Sequence, residues 1–446
     1  MKLWRWAKVQ AARDAYVAGT QYFQNAPPKP YFLAPVLLEP TGDLSTLSPS
    51  QLLSVGNRAV PFAFREDELR ELVQWRDDGP TVSAHLLYAP GGQGKTRLAD
   101  KFFTDSAALG WQTRAARHVT EVPYPSEPDA AAADTVEGPA LVVVDYADRW
   151  PLDDLLGLAA ELGRSRTGPV RMLLLARTPD WWIPMRHRLG KLGWEVRQRR
   201  LERLTQPSDD RLEAFDQARA RFAAILGVAD TRTAEPWAQL HGRQFDLVLS
   251  IHMSALASVL AGAGSEVPLA DPARVSAYLL DRERSYWESM RTAGRINAQL
   301  TTMSRAVVGA VLAGPLSYPG GVSLLECARI CSTAEPAEQV LDDHKVCYPA
   351  VDPAHVLQPL YPDRLAEDFL ALQIPGARPR ELGDGDPAIE RILDNLLRPG
   401  TDLPAETVER IIVVLVETAR RWEHVADRHF HPIVAARPDL GFTVFP

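Results

Sequence analysis

An apolar run, AHLLYA (84–89), passes directly into PGGQGKTRLA, so that Ala89 to Thr96 spell A-x-x-x-x-G-K-T between a strand and a helix. No other stretch narrows the fold as far, because this pattern has its physical sense only where a strand feeds a tight turn that opens a helix. Gly91, Gly92 and Gly94 let successive backbone amides point inward where a side chain would collide. The helix start behind them adds positive potential, so the turn suits a polyphosphate. Lys95 is placed to reach β and γ phosphates, and the Thr96 hydroxyl to complete the shell of a magnesium ion that prefers oxygen ligands. The expected ligands are therefore ATP or ADP with Mg2+, held by Pro90, Gly91, Gly92, Gln93, Gly94, Lys95, Thr96 and Arg97. Ala89 stands where the commonest form has glycine.

A second element supports the first. In LVVVD, Asp145 closes an apolar strand, at the edge of a parallel sheet where ligands collect and where a carboxylate can hold magnesium. Thr96 and Asp145 are the expected metal ligands. The next residue is Tyr146 rather than a second acid, which leaves Asp148 as the candidate to activate an attacking water and implies slow hydrolysis. A further strand ends in LLLAR, which puts Arg177 beside the same edge, where a guanidinium can stabilise charge on a γ-phosphate. Lys95, Asp145, Asp148 and Arg177 are thus the catalytic candidates.

Around this centre the pattern is α/β. Apolar runs at 84–89, 111–119, 140–147, 171–177 and 194–201 alternate with helical segments, the signature of a parallel sheet covered on both faces. After about Leu204 only helical periods remain. With 446 residues the chain is too long for one ordinary core. The divisions expected are an N-terminal arm or linker (1–58, containing the proline-rich NAPPKPYFLAPVLLEP), the α/β domain (59–205), a helical subdomain (206–299), a compact segment (300–375) and a C-terminal helical segment (376–446).

A formal charge of −8 argues against a general electrostatic grip on nucleic acid or an anionic membrane. Cys327, Cys331 and Cys347 are odd in number and clustered, unlike a disulfide framework, and they fit small buried thiols in a reducing cytoplasm better than a zinc site. Charge interrupts the amino-terminal MKLWRWAKVQAARD, unlike a secretory signal, and AVVGAVLAGPL is too short to span a bilayer. A soluble cytoplasmic protein is the expectation.

With these elements in order, the chain resembles the signal-transduction ATPases with numerous domains, the STAND class that includes the NACHT and NB-ARC switch proteins, over most of residues 60–375. YAPGGQGKT, LVVVDYAD and LLLAR resemble its Walker A, Walker B and sensor-1 elements. Its leading helix begins with phenylalanine, glycine, arginine and glutamate; FAFREDEL supplies Phe62, Arg65, Glu66 and Glu68, with Phe64 in place of the glycine. LYPDRLAEDFL (360–370) resembles the end of the winged-helix domain, where NB-ARC proteins set a Met-His-Asp motif against the nucleotide. Tyr361, Pro362 and Asp363 occupy those places, which makes Asp363 a nucleotide-binding candidate and Pro362 a departure; the plain alternative is that Pro362 and Asp363 cap a helix. LVLSIHMSALA is similar to the helical subdomain's nucleotide-facing segment without its proline, and His252 there reads as a core residue. ARDAYVAG (12–19) is similar to short tags of conflict-type relatives.

The resemblance implies a P-loop NTPase sheet followed by a helical subdomain, a winged-helix-like domain and a C-terminal helical segment. It also implies a switch in bacterial signalling or defence in which ADP holds a closed form and ATP an open, often homo-oligomeric one that engages a protein effector. Two alternatives are a nucleotide-binding scaffold with little hydrolysis and a winged-helix transcription regulator, the latter disfavoured by the acidic balance.

Overall fold

The computed structural model describes residues 29–36, 42–118, 138–203, 208–228, 245–262, 271–350, 354–377 and 384–437. The string 12–19 lies outside them.

Six strands form one sheet: β1 (Tyr31–Pro35), β2 (Val82–Tyr88), β3 (Gln112–His118), β4 (Ala140–Val144), β5 (Val170–Ala176) and β6 (Glu195–Arg200). Their order is β1-β3-β4-β5-β2-β6, with β1 antiparallel to β3 and every other pair parallel. All five strands expected from apolar runs are present. The sixth, β1, falls within the segment read as an extended arm; Tyr31 pairs with His118 and Pro35 with Arg114, so residues 31–35 complete an edge of the sheet. Proline at such an edge costs no ladder bond.

Side chains alternate between two apolar layers, as a strand's period of two requires. Leu86, Val142, Val144, Met172 and Leu174 face α4 (Leu152–Ser165) and α5 (Trp182–Lys191). Leu87, Leu141, Leu173 and Leu175 face α2 (Glu66–Asp78) and α3 (Lys95–Ala108), where Trp75, Phe102 and Phe103 are buried. β5 is buried along its whole length, whereas β6 (EVRQRR) is mostly exposed, a charged edge that discourages pairing with another chain.

Behind the sheet, the described elements are helical: α6 (Ser208–Leu226), α7 (Val248–Ala261), α8 (Pro272–Thr292), α9 (Leu300–Ala313), α10 (Tyr318–Cys327), α11 (Ala334–Cys347), α12 (Asp363–Gln373), α13 (Ala388–Leu396), α14 (Ala405–Ala419), α15 (Glu423–Val425), a π-helical turn (Ala426–Phe430) and α16 (His431–Ala436). An isolated antiparallel bridge, Leu316 to Leu357, accompanies α9–α12. The sequence divides this region near 299 and 375, yet buried side chains from α6 through α15 belong to one contiguous apolar cluster.

The short helix α1 (Pro49–Leu53) also docks there, through Leu52 and Leu53. Its anchor is the buried Glu283, which accepts hydrogen bonds from the Ser50 amide (2.9 Å), the Ser50 hydroxyl (2.9 Å) and the Tyr348 hydroxyl (2.7 Å). Three donors satisfy a carboxylate whose pKa burial raises. Residues 49–53, like 31–35, are therefore built into the fold rather than forming a linker. Cys327, Cys331 and Cys347 are free thiols, the last two buried. Among the described residues, no helix is long and apolar enough to cross a membrane.

Candidate phosphate-binding site

β2 delivers the chain into the glycine turn, and α3 begins immediately after Gly94. Gly92 (φ 81°) and Gly94 (φ 90°) are left-handed, which explains why glycine stands at both. A side chain at Gly92 would come into ordinary contact with Leu249 on α7 and Arg364 on α12.

Because β5 lies between β2 and β4, residues following these three strands converge at one sheet edge. Lys95 Nζ donates to the carbonyls of Ala89 (2.6 Å) and Pro90 (3.2 Å), folded back along its own turn. Protein surrounds it on most sides, and burial lowers its pKa to about 8, partly offset by Asp145. The Thr96 hydroxyl lies 3.3 Å from Asp145 Oδ2. Two oxygens at roughly 3 Å suit neighbouring corners of an octahedral shell with bonds near 2.1 Å, so this donor pair fits Mg2+. Burial raises the pKa of Asp145, opposed by Lys95 and by the Tyr146 amide, which donates to Oδ1 at 2.9 Å.

The remaining candidates also make contacts within the protein. Asp148 Oδ2 accepts the Arg177 backbone amide (2.8 Å), so one carboxylate oxygen fixes the end of β5. Arg177 reaches across to the helical region, where it pairs with Asp363 (2.8 Å) and Glu367 (2.9 Å) on α12 and with Glu417 (2.8 Å) on α14. Three carboxylates hold its guanidinium charged, although burial alone opposes that form. The guanidinium also stays near Gly91, 3.7 Å from where a side chain there would begin. Asp363 likewise pairs with Arg177 and accepts from the Tyr146 hydroxyl (2.5 Å). Pro362 precedes α12 without a side-chain cap. Arg97 donates to the Val60 carbonyl (3.0 Å) and to Asp100 (2.8 Å), which fastens the segment before α2 rather than the turn. On α7, His252 is half-buried, and burial lowers its pKa to about 4.

Two residues take up roles at the site that the sequence did not assign to them. Arg364, from α12, lies against Gly92, and burial, reinforced by Arg421, lowers its pKa to about 10. Tyr146, left-handed at φ 51° and stacked under Arg149, occupies the second-acid position and ties β4 to α12. Arg65 had a signal, since FAFREDEL singles it out. It is buried, donates to Glu68 (2.8 Å) and the Glu202 carbonyl (2.7 Å), and approaches Gln93 in the turn at 3.4 Å.

Phe64, beside it, sits at φ 66°, in the left-handed region that favours glycine. Phe64→Ala keeps the left-handed strain and loses the ring's packing, whereas Phe64→Gly loses only the packing. We expect the glycine variant to be more stable than the alanine variant by about 1 kcal/mol in urea denaturation. Equal midpoints would contradict that account.

No protein-family model and no curated protein matches the chain. Among solved structures it is similar to the ORC1 protein of Aeropyrum pernix in complex with DNA, at 15% identity over 72% of this chain and 96% of that one, with a TM-score of 0.34. It is also similar to the ORC2 protein of Aeropyrum pernix in ADPNP–ADP complexes (15% identity, 77% and 97% coverage, TM-score 0.30). A third is Cdc6p from Pyrobaculum aerophilum (14% identity, 79% and 98% coverage, TM-score 0.27). At TM-scores this low the likeness supports no functional reading; the site geometry does.

Proposed function

We propose that this chain is a nucleotide-binding P-loop ATPase of slow turnover, acting as a STAND-type switch in which exchange of ADP for ATP changes how the helical region sits on the sheet. The observation that carries this reading is the convergence, at one sheet edge, of the glycine turn, Lys95 within it, and the Thr96 hydroxyl 3.3 Å from the Asp145 carboxylate. Thr96 and Asp145 would hold Mg2+, which supplies charge neutralisation at the phosphates. Lys95 exchanges its two backbone acceptors for phosphate oxygens, and the turn amides fix the phosphate chain.

Slow turnover follows from chemistry close by. Tyr146 has no carboxylate to activate water, and one of the two Asp148 oxygens is held by the Arg177 amide. The same observation favours, as a second reading, a scaffold that binds nucleotide without hydrolysing it.

Titration of fluorescent ATP and ADP into the full chain, with and without Mg2+, tests the proposal. ATP binding should tighten with Mg2+, and Asp145→Asn should weaken that Mg2+ dependence by at least about tenfold. Nucleotide binding that ignores both Mg2+ and Asp145 would refute the assignment. Phosphate release then separates slow enzyme from scaffold, and light scattering with ATP against ADP reports nucleotide-driven assembly. A duplex gel-shift at low salt belongs in the same series; a shifted band would displace the charge-based expectation that nucleic acid is not a partner.

A further inference from the structure

Asp145 has a second basic neighbour, on the strand beside it. β3 and β4 run parallel with Ala115 paired to Val143, so Arg117, two residues beyond Ala115, stands level with Asp145, two residues beyond Val143. Paired residues of a parallel ladder point to one face of the sheet, and neighbouring strands lie about 4.8 Å apart. Val143 packs toward α2 and α3, the face from which Thr96 meets Asp145, so Arg117 shares that face with the expected metal pair.

Burial chiefly, with Asp363, opposes the ionised form of Asp145, while Lys95, the Tyr146 amide and Arg117 favour it. The two cations are not equivalent. Lys95 is held within the turn by the carbonyls of Ala89 and Pro90. Arg117 is exposed, and among the described residues its side chain makes no hydrogen bond or ion pair. A divalent ion seated on Thr96 and Asp145 meets that guanidinium as a like charge. The phosphates of a bound nucleotide bring enough negative charge to outweigh the repulsion, whereas a single carboxylate that already faces Lys95 and Arg117 does not.

We propose that Arg117 is a positioning residue of the metal site: acting through Asp145, it stands in for the cation when none is bound and sets the Mg2+ concentration at which magnesium joins the nucleotide on this chain. The proposal rests on the nucleotide-binding reading above and adds to it a residue of β3, for which the sequence offered no role at the site. Magnesium thereby enters with nucleotide rather than ahead of it.

The test titrates MgCl2 into the full chain with a fixed concentration of fluorescent ATP and reads the midpoint of the Mg2+-dependent tightening, for wild type, Arg117→Gln and Arg117→Lys. Removing an exposed charge beside a divalent ion should move the midpoint of Arg117→Gln to a Mg2+ concentration about three- to tenfold lower, and Arg117→Lys, which keeps the charge, should stay near wild type. A loosened fold weakens binding, the opposite sign. A midpoint of Arg117→Gln that stays or rises overturns the proposal, as does Arg117→Lys moving with Arg117→Gln. Equal losses of ATP affinity with Mg2+ and in EDTA would make Arg117 a phosphate contact instead, which also overturns it. In each of these cases a wild type that binds ATP in a Mg2+-dependent way leaves the functional reading standing. If the wild type binds no nucleotide, or binds it without regard to Mg2+, that reading fails and this inference with it.

Discussion

Lys95→Ala is expected to weaken both ATP and ADP binding by about ten- to a hundredfold while raising the stability of the nucleotide-free chain at neutral pH. The first effect follows from the loss of charge-assisted hydrogen bonds, roughly 1.5–3 kcal/mol, at about tenfold per 1.4 kcal/mol. The second follows from burial. The folded chain lowers the Lys95 pKa from 10.5 to about 8, so the folded environment disfavours the charged form. Below pH 8 that penalty is present in full. Between pH 8 and 10.5 the unfolded chain binds more protons than the folded one, so wild-type stability rises with pH across that window. Alanine removes both the penalty and the rise. Urea melts at pH 7 and pH 9.5, beside the nucleotide titrations, check the pair of signs. A variant that lost affinity and stability together would point to a damaged fold instead of a missing ammonium.

Arg171→Met is expected to destabilise the sheet domain by about 3 kcal/mol or more, a large share of the 5–15 kcal/mol typical of a whole domain. Arg171 is 1% exposed inside β5. Its guanidinium donates to the carbonyls of Gly79 (2.8 Å), Pro80 (2.6 Å), Arg76 (3.1 Å), Trp75 (3.3 Å) and Val170 (3.2 Å). The last turn of α2 and the link into β2 are thereby capped by one cation. Gly79 is required in the same place, since a side chain there would begin 2.6 Å from the Trp75 carbonyl. Methionine replaces most of the stem's volume but leaves these carbonyls without their donor. Urea denaturation followed by far-ultraviolet circular dichroism measures the loss; an unchanged midpoint would show that water serves those carbonyls as well as Arg171 does.

How much of this was legible beforehand differs from residue to residue. β2, β4 and β5 are evident in their apolar runs because both faces are buried and the pattern needs no partner to be recognised. β1 was not, because YFLAP sits among prolines and becomes a strand only by pairing with residues 114–118. Arg171 reads as an ordinary charge at the start of RMLLLAR until α2 is seen to end on top of it. Arg97 stands beside the glycine turn in sequence, yet its guanidinium follows Val60 and Asp100.

The amino-acid sequence by itself determined the strand, glycine turn and helix, the left-handed glycines within it, and the carboxylate that closes β4. These depend on neighbours a few residues apart, where backbone sterics and burial patterns act locally. Only the tertiary structure decided that Thr96 meets Asp145, that Arg364 lies against Gly92, and that Asp363, Glu367 and Glu417 claim Arg177. Ion pairs between residues hundreds of positions apart have no period and no motif; they form because packing of the helical region onto the sheet edge brings charges together where little water competes for them.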